Sequence, residues 1–174
     1  ELFLQAKANY KLSAFFDEQF NNPKPFNPEK VTPVSTAQSD EYLPLISPDN
    51  ELMLFTRRDL IEQNTRATAV RSNAVNYVER FSSARLKDGK PTGPGKPLPP
   101  PFNEKKEYNY GGSCLSIRND EIFVTICTNE FGKINCDIYT SKREFRTGRG
   151  YEWSPLQPLG PEVNTPEGWE AQPT

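Results

Sequence analysis

The strongest constraint on this chain is a hairpin plan that occurs twice in register. Residues 39–56 read SDEYLPLISPDNELMLFT, two short apolar runs on either side of Pro48, Asp49 and Asn50. Leu43, Leu45 and Ser47 take one parity, and Leu52, Leu54 and Thr56 another. Asp and Asn tolerate tight-turn dihedrals and can bond their own backbone, so the triplet predicts a β-hairpin. Residues 112–127, GSCLSIRNDEIFVTIC, repeat the plan around Asn119 and Asp120, with Ser116 on Ser47 and Thr125 on Thr56. A third copy opens at Trp169, where Glu170 and Pro173 take the places of Glu41 and Pro44.

Further matches follow each hairpin. Residues 76–86 alternate Tyr77, Glu79 and Phe81 as a third strand, and residues 137–143 are its counterpart, with Phe81 set on Tyr139 and Ser83 on Ser141. Residues 98–103, LPPPFN, match residues 159–164, LGPEVN. Residues 152–156, around Trp153, read as a short edge strand. The polar stretch 57–73 reads as a long loop, and 128–135 as a short one. Four short antiparallel strands in each unit, at a spacing of about 60 to 70 residues, is the period of a β-propeller blade. The expected fold is therefore mainly β, a partial propeller of about two four-stranded blades and the start of a third. A β-sandwich or two linked sheets would not explain why the same serine-to-turn spacing returns in register.

Ahead of the repeats, residues 1–22 read as a helix, with Leu2, Ala6, Tyr10 and Ala14 at helical spacing and Asn21-Asn22-Pro23 as the stop. A lone helix with a broad apolar face needs a neighbour, so it reads as the last helix of an array. The alternative is an N-terminal helix packed on the following domain. Residues 23–40 are a Pro-rich connection, and residues 41–174 are the blades. Glu1 opens mid-helix and the chain ends inside a repeat, so a window on a longer protein is expected.

Composition narrows the function. Proline is 17 of 174 residues, which suits turns and edge strands better than one deep core. The formal net charge is -2, and no basic stretch is dense enough for nucleic acid. No apolar run approaches the length of a membrane helix. There is no histidine, which excludes Ser-His-Asp and Cys-His sites and weakens zinc. Gly93-x-Gly95 lies among prolines and opens no helix, so no cofactor motif is present. Asp49 and Asp120 could mimic an acid/base pair, but both sit in hairpin turns, where Asp serves local bonding. Tyr108, Tyr110, Trp153 and Trp169 could stack on a glycan or pack between blades. The arginines 57, 58, 143, 146 and 149 could meet an anionic partner or be solvated strand ends. Of the three cysteines, Cys127 and Cys136 flank one hairpin and could bond in an oxidising compartment. Two buried free thiols are the alternative.

The run from Tyr42 to Asp49 through Pro44 and Ser47, followed by Leu54-Phe55-Thr56, resembles the Pro-x-x-Ser-Pro-Asp motif of TolB-type, WD-like propellers. The series Asn135-Cys136-Asp137-Ile138-Tyr139-Thr140-Ser141, Trp153-Ser154, Val163-Asn164-Thr165-Pro166 and Trp169-Glu170-Ala171-Gln172-Pro173 is similar to the propeller of Bacteroidota outer-membrane proteins that join TPR repeats, a WD-like propeller and an OmpA domain. The PorE-type components associated with type IX secretion belong to that family. Its Gly-Ser-Cys-Asp form stands here as Ile134-Asn135-Cys136-Asp137. The resemblance covers residues 25–174 and implies a non-enzymatic, periplasmic, outer-membrane-associated scaffold that contacts other envelope proteins. Peptidoglycan would be held by a domain outside these residues. The blade-motif residues it points to are Pro44, Ser47, Asp49, Ser116, Asp120, Asp137, Tyr139 and Trp153. The propeller of a prolyl-oligopeptidase-like peptidase, or a TolB-like envelope protein, is the alternative.

Overall fold

The structure, a computed structural model, describes residues 1–60, 77–130 and 133–174. It divides into two compact units, Glu1–Lys30 and Val31–Thr174.

The first unit is a single helix, α1 (Leu2–Asn21), followed by residues without regular structure. Its closing bond runs from the Asn22 amide to the Glu18 carbonyl at 2.9 Å. None of its residues is buried, and Leu2, Phe3, Tyr10, Phe16 and Phe20 all stand exposed. The helix is therefore held within its own unit by propensity, backbone bonding and local side-chain contacts such as Gln5 to Asn9 and Asn21 to Asp17.

The second unit is mainly β, two antiparallel sheets built to one plan. Strands β1 (Asp40–Ile46), β2 (Leu52–Leu60), β3 (Tyr77–Lys87), β4 (Lys90–Pro91) and β5 (Lys96–Pro97) form the first. Strands β6 (Asn109–Leu115), β7 (Glu121–Glu130), β8 (Lys133–Arg146), β9 (Gly150–Trp153) and β10 (Gln157–Pro158) form the second. In each, three long strands pair in sequence order, and the two short strands both pair with the third.

Several boundaries differ from the sequence reading. The connection expected over residues 23–40 gives way at Val31, because Val34 is 2 % exposed and packs on Met53, Phe55 and Ala84. Residues 57–60, expected in a loop, continue β2. Their polar side chains pair across the ladder, Arg57 with Glu41 and Arg58 with Asp40. The rest of that expected loop, to residue 73, lies outside the described residues. Residues 128–130 and 133–135, also expected in a loop, extend the β7–β8 ladder, in which Thr128 opposes Asn135. The alternation expected through Leu43 is interrupted by a bulge between Tyr42 and Leu45, where Leu43 has φ 51°. The second hairpin bulges at the same place, between Gly111 and Ser113.

The register of the third strands is shifted by one residue from the sequence alignment. Thr56 opposes Phe81, and Thr125 opposes Ile138, so Phe81 corresponds to Ile138 rather than Tyr139. A slip of one moves every side chain to the other face. Phe81 and Tyr139 therefore sit on opposite faces of their sheets.

That face assignment locates the core. Leu54 and Phe81 lie on one face of the first sheet, and Ile122, Val124 and Ile126 lie on one face of the second; all five share a single cluster with Phe102 and Tyr110. The sheets thus meet face to face, with residues 98–103 wedged at their junction. The opposite face of the first sheet holds Met53, Phe55 and Ala84 under Val34.

Candidate functional site

The repeat is carried by three side-chain devices. The first sits in the hairpin turns. Ser47 Oγ donates to Asp49 Oδ1 at 2.6 Å and accepts the Leu52 amide at 2.9 Å. Ser116 Oγ donates to Asp120 Oδ1 at 2.6 Å and accepts the Glu121 amide at 3.1 Å. Asn50 and Asn119 take φ 58° at matching turn positions, which Asn tolerates better than other side chains. The serines coincide, but Asp49 and Asp120 stand two and four residues beyond their serines. Both carboxyls lie below the ordinary carboxylate range, chiefly through the serine hydroxyl each accepts. Both face solvent at a turn, so this pair is a turn lock and not a nucleophile with its base.

The second device ties each approach segment to the strand it feeds. Thr36 donates its amide to Glu41 Oε2 at 3.1 Å and its hydroxyl to Oε1 at 2.9 Å. Thr165 does the same to Glu170, at 3.3 and 2.7 Å. In the middle unit the Lys105 amide donates to the Tyr110 hydroxyl at 3.2 Å, with Tyr110 at the position of the glutamates. Asn103 and Asn164 fasten the same segments to the preceding sheet. Asn103 accepts the Phe81 amide and donates to the Phe81 and Leu98 carbonyls. Asn164 treats Ile138 and Leu159 identically.

The third device joins one unit to the next. The Gly112 amide donates to Thr56 Oγ1 at 3.3 Å, and the Gln172 amide donates to Thr125 Oγ1 at 2.9 Å. Gly112 and Gln172 are the bulge residues of the second and third copies, with φ 69° and 57°, and Leu43 holds the same place in the first. These segments converge: Leu43, Leu45, Gly112, Leu115, Gln172 and Pro173 line one groove of about 510 Å³, and Pro44 lies on it too. Cys114 also borders this groove, with its thiol pushed up by burial.

Cys127 and Cys136 are joined by a disulfide between directly opposed strand residues, with Cα atoms 4.0 Å apart. They lie within the ladder rather than at strand ends. Trp153 stacks edge-on against Phe102 at 5.9 Å, closing the wedge between the sheets. The exposed arginines find local partners: Arg58 bonds Asp40 at 2.6 Å and lies 4.8 Å from the Tyr77 ring, and Arg143 lies 5.1 Å from that of Tyr151. Tyr42 donates to Glu79, and burial together with that bond raises its hydroxyl far above the ordinary tyrosine range.

Asp137 and Tyr139 are brought together, on the face of β8 that looks toward the first sheet. With Asn135 and Lys133 they line a cleft of about 590 Å³. Burial and the nearby charge of Glu170 push the Asp137 carboxyl up from its ordinary value, against a 3.3 Å bond from the Asn135 amide. The threonine–glutamate ties and the paired asparagines are the functional repeats that the hairpin motif alone does not reveal. Their signal is present in Thr36/Glu41 and Thr165/Glu170, both five apart. Among the described residues, no group of three or more His, Cys, Asp or Glu side chains is arranged to hold a metal ion. No protein-family model, curated protein or solved structure matches the chain.

Proposed function

We propose that the two sheets are successive blades of a β-propeller and that the chain acts as a non-enzymatic interaction scaffold in the periplasm, associated with the outer membrane. One observation carries the propeller reading: the first-strand segments of all three copies line a common groove, the second and third each clasped to the threonine of the copy before it. Sheets that lean face on face around a shared axis place their first strands there. In a stacked sandwich the two sheets would have no such common edge.

The wedge position supports the same reading. Val34 and Phe102, equivalent by the asparagine and threonine ties, are buried at 2 % and 1 %, whereas Val163 at the third copy is 41 % exposed. The first two each have a sheet to cover, and the third is poised to cover another. The scaffold role rests on turn-locked carboxylates that serve structure, and on an exposed β8–β9 hairpin carrying Phe145, Tyr151 and three arginines, a composition typical of contact surfaces. The disulfide favours an oxidising compartment. A secretion or gliding assembly, with peptidoglycan held elsewhere in the protein, completes the proposal on the resemblance described above.

The test is site-specific photocrosslinking from Phe145 and Tyr151 in intact cells, combined with thiol-trapped peptide mapping. The expected result is adducts with envelope proteins and a bonded Cys127–Cys136 pair. Free thiols at both cysteines with only cytosolic adducts would overturn it.

A further inference from the structure

The polar row on β8 differs in chemistry from the matching row of the first sheet. Lys133, Asn135, Asp137 and Tyr139 alternate along one face, as strand side chains two apart must. Thr128 stands directly opposite Asn135 on β7, and Tyr108 completes the rim. This is the face that carries Ile122, Val124 and Ile126 into the core. At the places of Asn135, Asp137 and Tyr139 the first sheet has buried Val78, opposite Asp59, half-buried Arg80, opposite Arg57, and buried Ser82, opposite Phe55. The second sheet thus has an amide, a carboxyl and a phenol ring where its twin has an aliphatic side chain, a guanidinium and a small hydroxyl.

We propose that this cleft binds a saccharide, through hydroxyl contacts to Thr128, Asn135 and Asp137 and ring stacking on Tyr108 or Tyr139. The Asn135 Nδ2 donor and the Asp137 Oδ2 acceptor stand 3.3 Å apart, close enough to meet neighbouring hydroxyls of one sugar ring. A tyrosine ring presents an apolar face that suits the C–H side of a pyranose, with a polar tip for its rim. The cleft's volume of about 590 Å³ accommodates one to two sugar rings. Charge excludes the main competitor: a phosphate-bearing ligand would meet Asp137 and the field of Glu170, with Lys133 alone in the row to offset them. The cleft lies within the second sheet and does not depend on ring closure, so it stands or falls separately from the propeller reading.

The experiment is amide-shift titration of the isotope-labelled chain with cellobiose and with chitobiose. The expected result is saturable shifts confined to residues around Tyr108, Thr128, Asn135 and Asp137 with at least one disaccharide. Affinity should fall by about tenfold in Asp137→Asn and in Asn135→Ala, each removing hydrogen bonds to the ligand. Tyr108→Ala replaces any variant whose amide spectrum loses native dispersion. No saturable shift with either probe, shifts centred elsewhere, or binding unchanged in well-folded variants would each overturn the proposal.

Discussion

At the scale of single residues, the three bulges make a controlled comparison. Leu43, Gly112 and Gln172 hold the same left-handed conformation, which glycine adopts freely and L side chains adopt at a cost of about 1–2 kcal/mol. Leu43→Gly should therefore stabilise the fold by about 0.5–1 kcal/mol, after allowing for glycine's larger unfolded-state entropy. Gly112→Ala should destabilise by at least as much, since a Cβ there would stand 3.3 Å from the Gln172 Cα. Urea denaturation of both variants checks the pair, and a stabilised Gly112→Ala would contradict the equivalence. The turn carboxyls give a pH signature. Asp49 and Asp120 titrate lower in the folded chain, so their contribution is full above the ordinary carboxylate range and is lost as pH falls below it through their depressed folded values. Asp49→Asn with Asp120→Asn should flatten the acid side of a melting-temperature profile. Asp137 runs the other way: its raised value makes the ionised form unfavourable at neutral pH, so Asp137→Asn should raise the melting temperature there. A polar residue kept at the expense of stability is the expected mark of a binding position.

At the scale of elements, turn chemistry was legible because it is local. Ser47, Asp49 and Asn50 act within five residues of one another, and residue types alone identify their work. Register was not legible in the third strands. Phe81-Ser82-Ser83 can be laid on Tyr139-Thr140-Ser141 as well as on Ile138-Tyr139-Thr140, and only the opposing threonines decide between them. Strand ends were missed for a different reason. Residues 57–59, 128–130 and 133–135 are mostly polar, and a polar strand end resembles a loop when its pairing is unseen. The disulfide was readable as a possibility from spacing, while its place inside the ladder needed the opposed strand. It closes a short loop, so Cys127→Ala with Cys136→Ala should cost about 2–3 kcal/mol by the loop-entropy relation. Equal urea midpoints with and without reductant would contradict that. Thr125→Val removes the acceptor for the Gln172 amide while keeping the shape. Its expected cost is about 1 kcal/mol, with faster hydrogen exchange at that amide.

At the scale of the whole molecule, stability depends on sheets covering one another. Phe102 sits between both sheets with Phe81 and Trp153 edge-on to it, so Phe102→Ala should cost about 3–5 kcal/mol. Val163→Ala, at the equivalent but exposed wedge, should change stability by less than about 0.5 kcal/mol. Comparable losses at both positions would mean that the wedges are not equivalent. The division of the chain into a helix unit and a β unit follows composition closely. The facing of the two sheets does not, since the residues that meet across it, such as Leu54 and Val124, lie a whole repeat apart in the chain. The threonine clasps carry one last implication. The second copy donates its bulge amide to Thr56 of the first and offers its own Thr125 hydroxyl to the third. A gene that duplicates one such stretch in tandem inherits both halves of the joint at once, so the architecture can lengthen without inventing a new seam.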